Sequence, residues 1–316
     1  MSGAAHDPGA WMDAGAGIRI HSDAQGRLPT QGTEAIDLLL CEVPRPRPWV
    51  QVPSVDTTLE SIHHTLAQVP RAAQAAMMLL RSAGSGRFQD ALARESRVYS
   101  GLLLGPEFKA WRHRTPIRAP RQPVAEPVHY TRTDDAVTLT LSDPARLNAW
   151  STAMRDALAD ALDTCLLDPT LPQVTLRGAG RAFCSGGALD EFGTATDPRM
   201  AHRIRMRQSV ALRLSRLQLR GRVVVHGPTV GSGIEMAAAA ARVEAHPDTT
   251  LRMPELAMGL VPGAGGTVSI TRRIGRHRLA YWLLTGCTID ARQALDWGLV
   301  DAITPVVPGS GNGLPA

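Results

Sequence analysis

The pattern of apolar and polar positions changes several times along the chain, and each change predicts a different kind of structure. Residues 1–33 are polar and glycine-rich with no repeating apolar positions to bury, so we expect them to be disordered. Within residues 34–115, apolar residues recur at helical spacing from about Thr57, and Pro70 separates a first run from a second. This pattern predicts an N-terminal helical extension. Four prolines in residues 116–127 then predict a linker.

Beyond the linker, strand-like and helical stretches alternate. The predicted elements are a strand at 136–141, a helix at 152–167 opened by Ser151 or Thr152, a strand at 173–176, a helical stripe at 200–219, a strand at 223–225, a helix at 233–241 and a strand at 299–303. Such alternation is typical of an α/β core. We therefore expect this core over residues 128–303 and a flexible tail over residues 304–316.

Composition and charge argue against several functional classes. The chain has 316 residues, 44% of them hydrophobic, which is enough for one substantial core. Its formal charge is +5, but the basic residues are spread out with few aromatics among them, so we expect no nucleic-acid partner. The four cysteines lack paired spacing, which predicts neither a metal site nor disulfides. No leader-like segment or membrane-length apolar run stands out, so we expect a cytoplasmic protein with no membrane partner.

Three segments carry residue types suited to chemistry. The loop from Phe183 to Leu189 holds small residues that let a backbone approach a ligand closely. The segment 227–235 predicts a glycine turn opening a helix, with Glu235 in its first turn. In the segment 253–267, Pro254 places Glu255 at a helix start. Taken singly, each segment has an ordinary structural explanation as a loop, a helix start or a turn.

Together these segments resemble the crotonase, or enoyl-CoA hydratase/isomerase, family. The resemblance covers residues 128–303, and Glu235 and Glu255 stand twenty positions apart, as the two catalytic glutamates of the hydratases do. It implies a ββα spiral core, an acyl-CoA substrate, and no cofactor other than the coenzyme A carried by that substrate. It also implies a homo-oligomer, either a trimer or a dimer of trimers. The most direct function it implies is hydration of a 2-enoyl-CoA thioester.

The resemblance also implies roles for individual residues. Gly187 matches the first backbone amide of the oxyanion hole and Ser232 the second, where a glycine is more usual. Glu235 would activate water, and Glu255 would deliver a proton to Cα. Arg146 would meet a phosphate of coenzyme A, and Asp190 and Glu191 would be solvated loop acids. The positions implied to contact coenzyme A are Ala145, Arg146, Leu147, Ser185, Gly186, Ala188, Leu189 and Gly231.

Several alternatives stay open. Isomerisation of a 3-enoyl thioester and hydrolysis of a thioester use much the same residues. The helical extension resembles in placement that of cofactor-independent dioxygenases acting on aryl-acetyl-CoA, but those enzymes lack the paired glutamates. Family members continue for several helices beyond the strand at 299–303, where this chain has a glycine- and proline-rich tail. Because those helices close the acyl pocket and help hold the trimer, a weakly active or purely acyl-CoA-binding protein is the non-enzymatic alternative.

Overall fold

The computed structural model describes residues 12–28, 33–84, 86–115, 122, 124–195 and 197–305, and its N-terminal part combines a sheet with helices. The strands there are β1 (Met12–Asp13), β2 (Arg19–Ser22), β3 (Leu38–Cys41) and β4 (Val50–Gln51). The helices are α1 (Val55–Gln68), α2 (Pro70–Ala83), α3 (Phe88–Leu103) and α4 (Pro106–Arg114). The predicted break at Pro70 is present, since this proline opens α2.

The prediction of a purely helical extension is wrong, because β1 to β4 form a four-stranded sheet ahead of the helices. Each of these strands is only two to four residues long, and all four residues of β3 are buried. A strand so short and so fully buried shows no alternation of apolar and polar positions. Two of the strands also fall within the segment predicted to be disordered, where Ile18 and Ile20 are buried. Residues 1–11 and 29–32 lie outside the described residues.

The rest of the chain builds the α/β core that the sequence predicts. Its strands are β5 (Val128–Arg132), β6 (Ala136–Leu141), β7 (Gln173–Gly178), β8 (Gly221–Val225), β9 (Pro228–Val230), β10 (Arg242–Ala245), β11 (Thr250–Arg252), β12 (Thr288–Asp290) and β13 (Ala302–Ile303). Its helices are α5 (Thr152–Leu167), α6 (Pro198–Arg207), α7 (Val210–Leu217), α8 (Ser232–Ala237), α9 (Gly266–Ile274), α10 (Arg276–Thr285) and α11 (Ala291–Trp297). The predicted stripe at 200–219 is divided into α6 and α7 because the Ser209 hydroxyl caps α7 by accepting from the Leu212 amide.

Two sheets organise this core. The larger has the order β13-β10-β8-β7-β6-β5 and is parallel except for the antiparallel pair of β5 and β6. The smaller has the order β12-β11-β9, with β11 parallel to β9. Most of the predicted linker 116–127 and of the predicted tail 304–316 lies outside the described residues. Across the described ranges, no helix combines the length and apolarity needed to cross a membrane.

The N-terminal helices share one hydrophobic core with the rest of the chain. Helix α2 packs against α9 and α10, and α3 packs against α6 and α9. Met77 of α2 is 1% exposed and belongs to the same buried cluster as Val137 of β6. This packing brings α3 to the face of the core where the loops after the parallel strands gather.

Met77→Ala should destabilise the whole protein, because it removes a buried side chain from the shared core. We expect the free energy of unfolding to fall by about 2–5 kcal/mol in a single transition monitored by urea denaturation. Met78→Ala is the matched control, since Met78 is 54% exposed on the same helix and should change stability little. Two separate unfolding transitions would contradict a shared core.

Candidate active site

One cavity of about 490 Å³ lies between the loops of the α/β core and the helices α3 and α6. All four residues predicted to be catalytic line it, namely Gly187, Ser232, Glu235 and Glu255. Helix α3 contributes Leu92, Glu95, Ser96, Tyr99 and Leu103 to the wall, and α6 contributes Ala201, Ile204, Arg205 and Met206. The N-terminal part of the chain therefore forms a side of the cavity.

The two predicted oxyanion amides follow a pair of parallel segments. Cys184 and Thr229 form a parallel bridge, and the Val230 amide donates to the Cys184 carbonyl at 2.9 Å. Gly187 and Ser232 each come three residues after this bridge, so the two segments deliver them at the same end. Within the described part of the chain, neither amide donates to a protein acceptor. An oxyanion hole needs two free N–H donors delivered to one place, and the bridge brings the two segments that carry these amides side by side.

Gly231 lets the Glu255 carboxyl group approach the turn that presents the Ser232 amide. Gly231 has φ +49°, a backbone conformation that residues with a side chain rarely adopt. A Cβ built at this position would lie 2.5 Å from Glu255 Oε1. Glycine is thus required here both by conformation and by the closeness of the carboxyl group.

Glu235 lies in the first turn of α8, as predicted, and is 2% exposed. Its Oε2 accepts hydrogen bonds from the amides of Ala264 at 2.7 Å and Gly266 at 3.0 Å. Burial raises the pKa of Glu235 to about 7, while these two hydrogen bonds act in the opposite direction by favouring the carboxylate. Glu235 is therefore a buried carboxyl group that can change its protonation near neutral pH.

Glu255 has a different environment. It directly precedes a short 3-10 turn, Leu256–Met258, and is 8% exposed. Its Oε2 is buried and has no hydrogen-bond partner among the described residues. Burial, and then the charge of Glu235, raise the pKa of Glu255 well above its ordinary value. The protonated form of Glu255 is the one that this environment favours.

A third buried carboxyl group, Glu95 of α3, was not predicted from the sequence. It is 1% exposed. Its Oε1 accepts from the Gly265 amide at 2.7 Å, and its Oε2 accepts from the Thr267 amide at 2.8 Å and hydroxyl at 2.6 Å. Burial and then the charge of Glu235 raise the pKa of Glu95 to about 8. Its position three residues after Leu92, on the apolar face of a predicted helix, was a signal that a carboxyl group would be buried.

The residues implied to contact coenzyme A divide into two groups. Ser185, Gly186, Ala188, Leu189 and Gly231 line the cavity. Ala145, Arg146 and Leu147 are not part of its lining, although the Ser185 amide donates to the Leu147 carbonyl at 2.9 Å and so keeps this turn beside the loop. The contact of Arg146 with a phosphate stays a prediction.

Asp190 and Glu191 are not the solvated loop acids that we expected. Asp190 accepts from Arg146 Nη2 at 2.8 Å, and its side chain is 10% exposed. Glu191 Oε2 accepts from both the amide and the hydroxyl of Thr152 at 2.8 Å, at the start of α5. These partners lie about forty positions away in the sequence, so the local pattern could not reveal them.

The stability of the protein should depend on the protonation of Glu95. A carboxyl group whose pKa is raised on folding binds its proton more tightly in the folded state, so the free energy of unfolding falls as pH rises through that range. We expect a decline between pH 4.5 and about 8, with Glu95 contributing at most about 1.4 kcal/mol per pH unit. Chemical denaturation over this range should show a shallower decline for Glu95→Gln. Glu60→Gln, at an exposed position of α1, is the control and should leave the slope unchanged.

Comparisons with known proteins agree with this geometry. The model of the enoyl-CoA hydratase/isomerase family matches residues 132–308. The 1,2-epoxyphenylacetyl-CoA isomerase of Escherichia coli (strain K12) is 34% identical over 169 residues, which cover 52% of this chain and 64% of that protein. A probable enoyl-CoA hydratase of Bacillus subtilis (strain 168) is 31% identical over 166 residues, which cover 51% of this chain and 63% of that protein.

Solved structures give the same result. The crystal structure of enoyl-CoA hydratase from Thermoplasma volcanium GSS1 superposes with a TM-score of 0.53 and 29% identity, over 57% of this chain and 72% of that one. The chain spans a little under two thirds of the length of the two curated relatives above. The family model itself covers more than half of the chain. The chain therefore belongs to the enoyl-CoA hydratase/isomerase family.

Proposed function

We propose that the protein hydrates a 2-enoyl-CoA thioester, with Gly187 and Ser232 as the oxyanion hole and Glu235 and Glu255 as the proton-transferring groups. The observation that carries the proposal is the cavity in which two unpaired backbone amides face two buried carboxyl groups. Coenzyme A enters only as part of the substrate. Ser232 is a tolerable replacement for the more usual glycine because the oxyanion hole uses only its N–H.

The oxyanion hole would lower the barrier by stabilising developing charge. When water adds to Cβ, negative charge moves onto the thioester carbonyl oxygen, which then accepts hydrogen bonds from the Gly187 and Ser232 amides. Removal of one such preorganised donor costs about 3 kcal/mol in comparable sites. The amides are held by the backbone, so no side chain has to reorganise during the reaction.

The environments of the two glutamates support a division of roles. Glu235 accepts two backbone hydrogen bonds, which favour the carboxylate that can take a proton from the attacking water. Glu255 has an unpartnered buried oxygen and a raised pKa, which favour the acid that can protonate Cα. Water oxygen bonds to Cβ as its proton passes to Glu235, and the enolate then takes the proton of Glu255. Proton exchange between the two carboxyl groups and solvent restores the starting state.

The N-terminal segment bears on the non-enzymatic alternative. Residues of α3 cover one side of the cavity, so the extension supplies a wall of the kind that we expected from C-terminal helices. This supports a site closed enough for catalysis. A homo-oligomeric assembly, as a trimer or a dimer of trimers, stays part of the proposal.

Isomerisation of a 3-enoyl-CoA thioester is the second candidate function. The unpartnered carboxyl oxygen of Glu255 favours it, because a carboxylate oxygen that accepts no hydrogen bond in the described residues is free to take up a proton from the substrate and return it. In this reaction Glu255 removes a proton from one carbon and returns it to another, and Glu235 takes no direct part.

Glu235→Gln and Glu255→Gln should each lower kcat for hydration of a 2-enoyl-CoA by about a hundredfold or more, since general acid–base catalysis contributes that much. Binding of coenzyme A thioesters, followed by calorimetry, should persist in both variants. A hydratase loses activity with either change, whereas an isomerase tolerates Glu235→Gln far better. Wild-type activity in both variants would exclude the proposed mechanism.

Substitutions at Ser232 separate the amide from the side chain. Ser232→Ala keeps the N–H group and should retain activity within about threefold, whereas Ser232→Pro removes the N–H and should lower kcat by about a hundredfold or more. Proline is compatible with this first helical position of α8. Circular dichroism checks that both variants fold, and equal activity of the two would argue against an oxyanion role for this amide.

A further inference from the structure

Arg205 of α6 faces the same cavity as the glutamates and is held there rigidly. Its Nε donates to the Ser96 hydroxyl at 3.0 Å, and its Nη2 donates to the Ser96 carbonyl at 3.2 Å and to the Ser100 hydroxyl. Its guanidinium carbon lies 4.8 Å from the centre of the Tyr99 ring. Serine residues and an aromatic face on α3 thus fix the orientation of the guanidinium.

Arg205 lines the cavity but has no acidic partner. Within the described ranges, no carboxylate lies within 4.0 Å of its guanidinium, and its Nη1 donates no hydrogen bond to the protein. Among other partly buried arginines, Arg146, Arg213 and Arg273 are paired with acids, whereas Arg112 and Arg278 also lack a carboxylate partner in the described residues but do not line the cavity. Partial burial of a guanidinium without a charged partner is costly, and burial lowers the pKa of Arg205 accordingly.

The acids of the cavity form no ion pair with Arg205 in the described residues, and this includes Glu255, whose Oε2 has no hydrogen-bond partner. Glu95 and Glu235 accept hydrogen bonds from the loop 264–267, and Glu191 caps α5. Arg155, the other arginine in the lining, is paired with Asp156. Arg205 is therefore the one cavity-lining arginine in the described residues whose guanidinium has no carboxylate partner.

The position of Arg205 relates it to the acyl end of the site. The Tyr99 ring contacts both Arg205 and the loop that holds Glu235, since a Cβ built on Gly263 would lie 2.6 Å from Tyr99 Cδ2. Gly263 directly precedes Ala264, whose amide binds Glu235. Arg205 is thus connected to the glutamate loop through one aromatic ring. Within the described residues, Arg205 makes no hydrogen bond to the loop 185–189 or to the turn 145–147, which carry most of the residues implied to contact coenzyme A.

We propose that Arg205 binds a carboxylate at the far end of the acyl group, so that the preferred substrate is a 2-enoyl-CoA whose acyl chain ends in a carboxylate. The assignment rests on the proposed function, which places the acyl chain in this cavity. Nη1 is the guanidinium nitrogen whose two N–H groups have no acceptor among the described residues, and a charged donor of this kind suits a carboxylate. Discrimination arises because a methyl-ended chain leaves the guanidinium unpaired.

The test compares matched 2-enoyl-CoA substrates of equal chain length, one ending in a carboxylate and one in a methyl group, over a short series of lengths. The wild-type protein should show a kcat/KM about a hundredfold higher for the carboxylate-ended member at its best length, as expected when a buried charge is left unpaired. Arg205→Met should remove this preference, chiefly through KM for the carboxylate-ended member. Arg207→Met, at an exposed position of the same helix, is the matched control and should keep the preference.

Several outcomes would overturn the assignment. A wild-type protein without preference, or an Arg205→Met variant that weakens both substrates equally, would indicate that Arg205 serves a phosphate of coenzyme A or the packing of α6 on α3. If Arg205→Met does not fold, Arg205→Gln removes the charge but keeps a polar side chain, and an unchanged preference in this variant would also contradict the assignment.

Binding measurements keep this proposal separate from the proposed function. Saturated acyl-CoA thioesters with and without a terminal carboxylate cannot be hydrated, yet calorimetry reports their affinities. If no 2-enoyl-CoA is hydrated but the carboxylate-ended thioester still binds more tightly, with the difference lost in Arg205→Met, then the proposed hydration is wrong and the anion site is supported. If a 2-enoyl-CoA is hydrated but the two kinds of thioester do not differ in affinity or in kcat/KM, then the proposed hydration is supported and the anion site is wrong.

Discussion

Four consecutive backbone amides, from Ala264 to Thr267, hold two carboxyl groups that belong to different parts of the chain. The amides of Ala264 and Gly266 donate to Glu235, and those of Gly265 and Thr267 donate to Glu95. Successive N–H groups in this turn point alternately to the two sides. A buried carboxyl group without hydrogen bonds costs several kcal/mol, so the loop cannot move without unpairing both glutamates. The orientation of Glu235 therefore depends on a helix outside the region matched by the family model.

This arrangement also sets the electrostatics of the cavity. Burial favours the protonated form of the three carboxyl groups that line it, and the charge of Glu235 adds to this effect at Glu95 and Glu255. The hydrogen bonds are unequal, because Glu235 and Glu95 each receive backbone donors while Glu255 keeps an oxygen without a partner in the described residues. Such unequal environments are what allow carboxyl groups of the same type to act as acid and base at one pH. Arg205, which is hydrogen-bonded to α3, adds a positive charge to the same cavity.

The chain thus combines a core that matches the family with a cavity wall formed by α3, which lies outside the matched region. The parallel segments that carry Gly187 and Ser232, and the elements that carry Glu235 and Glu255, lie within residues 132–308, which match the family. Tyr99 and Glu95, together with the serines that orient Arg205, come from α3, which precedes the matched region. If the backbone supplies the oxyanion amides, as proposed, the choice of substrate depends on the walls of the cavity. In this protein the N-terminal helix α3 provides one of those walls.

The sequence by itself determined the α/β core and the four positions that meet in the cavity. Some features depend only on nearby residues and are present in the structure as predicted: the strand alternation at 136–141, the Ser151 cap of α5 and the glycine turn before α8. Tertiary structure alone decided the N-terminal sheet, whose strands are too short to show a pattern, and the burial of Asp190 against Arg146. It also decided that Glu95 meets Gly265 across 170 positions and that Arg205 has no carboxylate partner among the described residues. Contacts between residues so distant in sequence depend on how helices pack against the core, and no local pattern of residues records that packing.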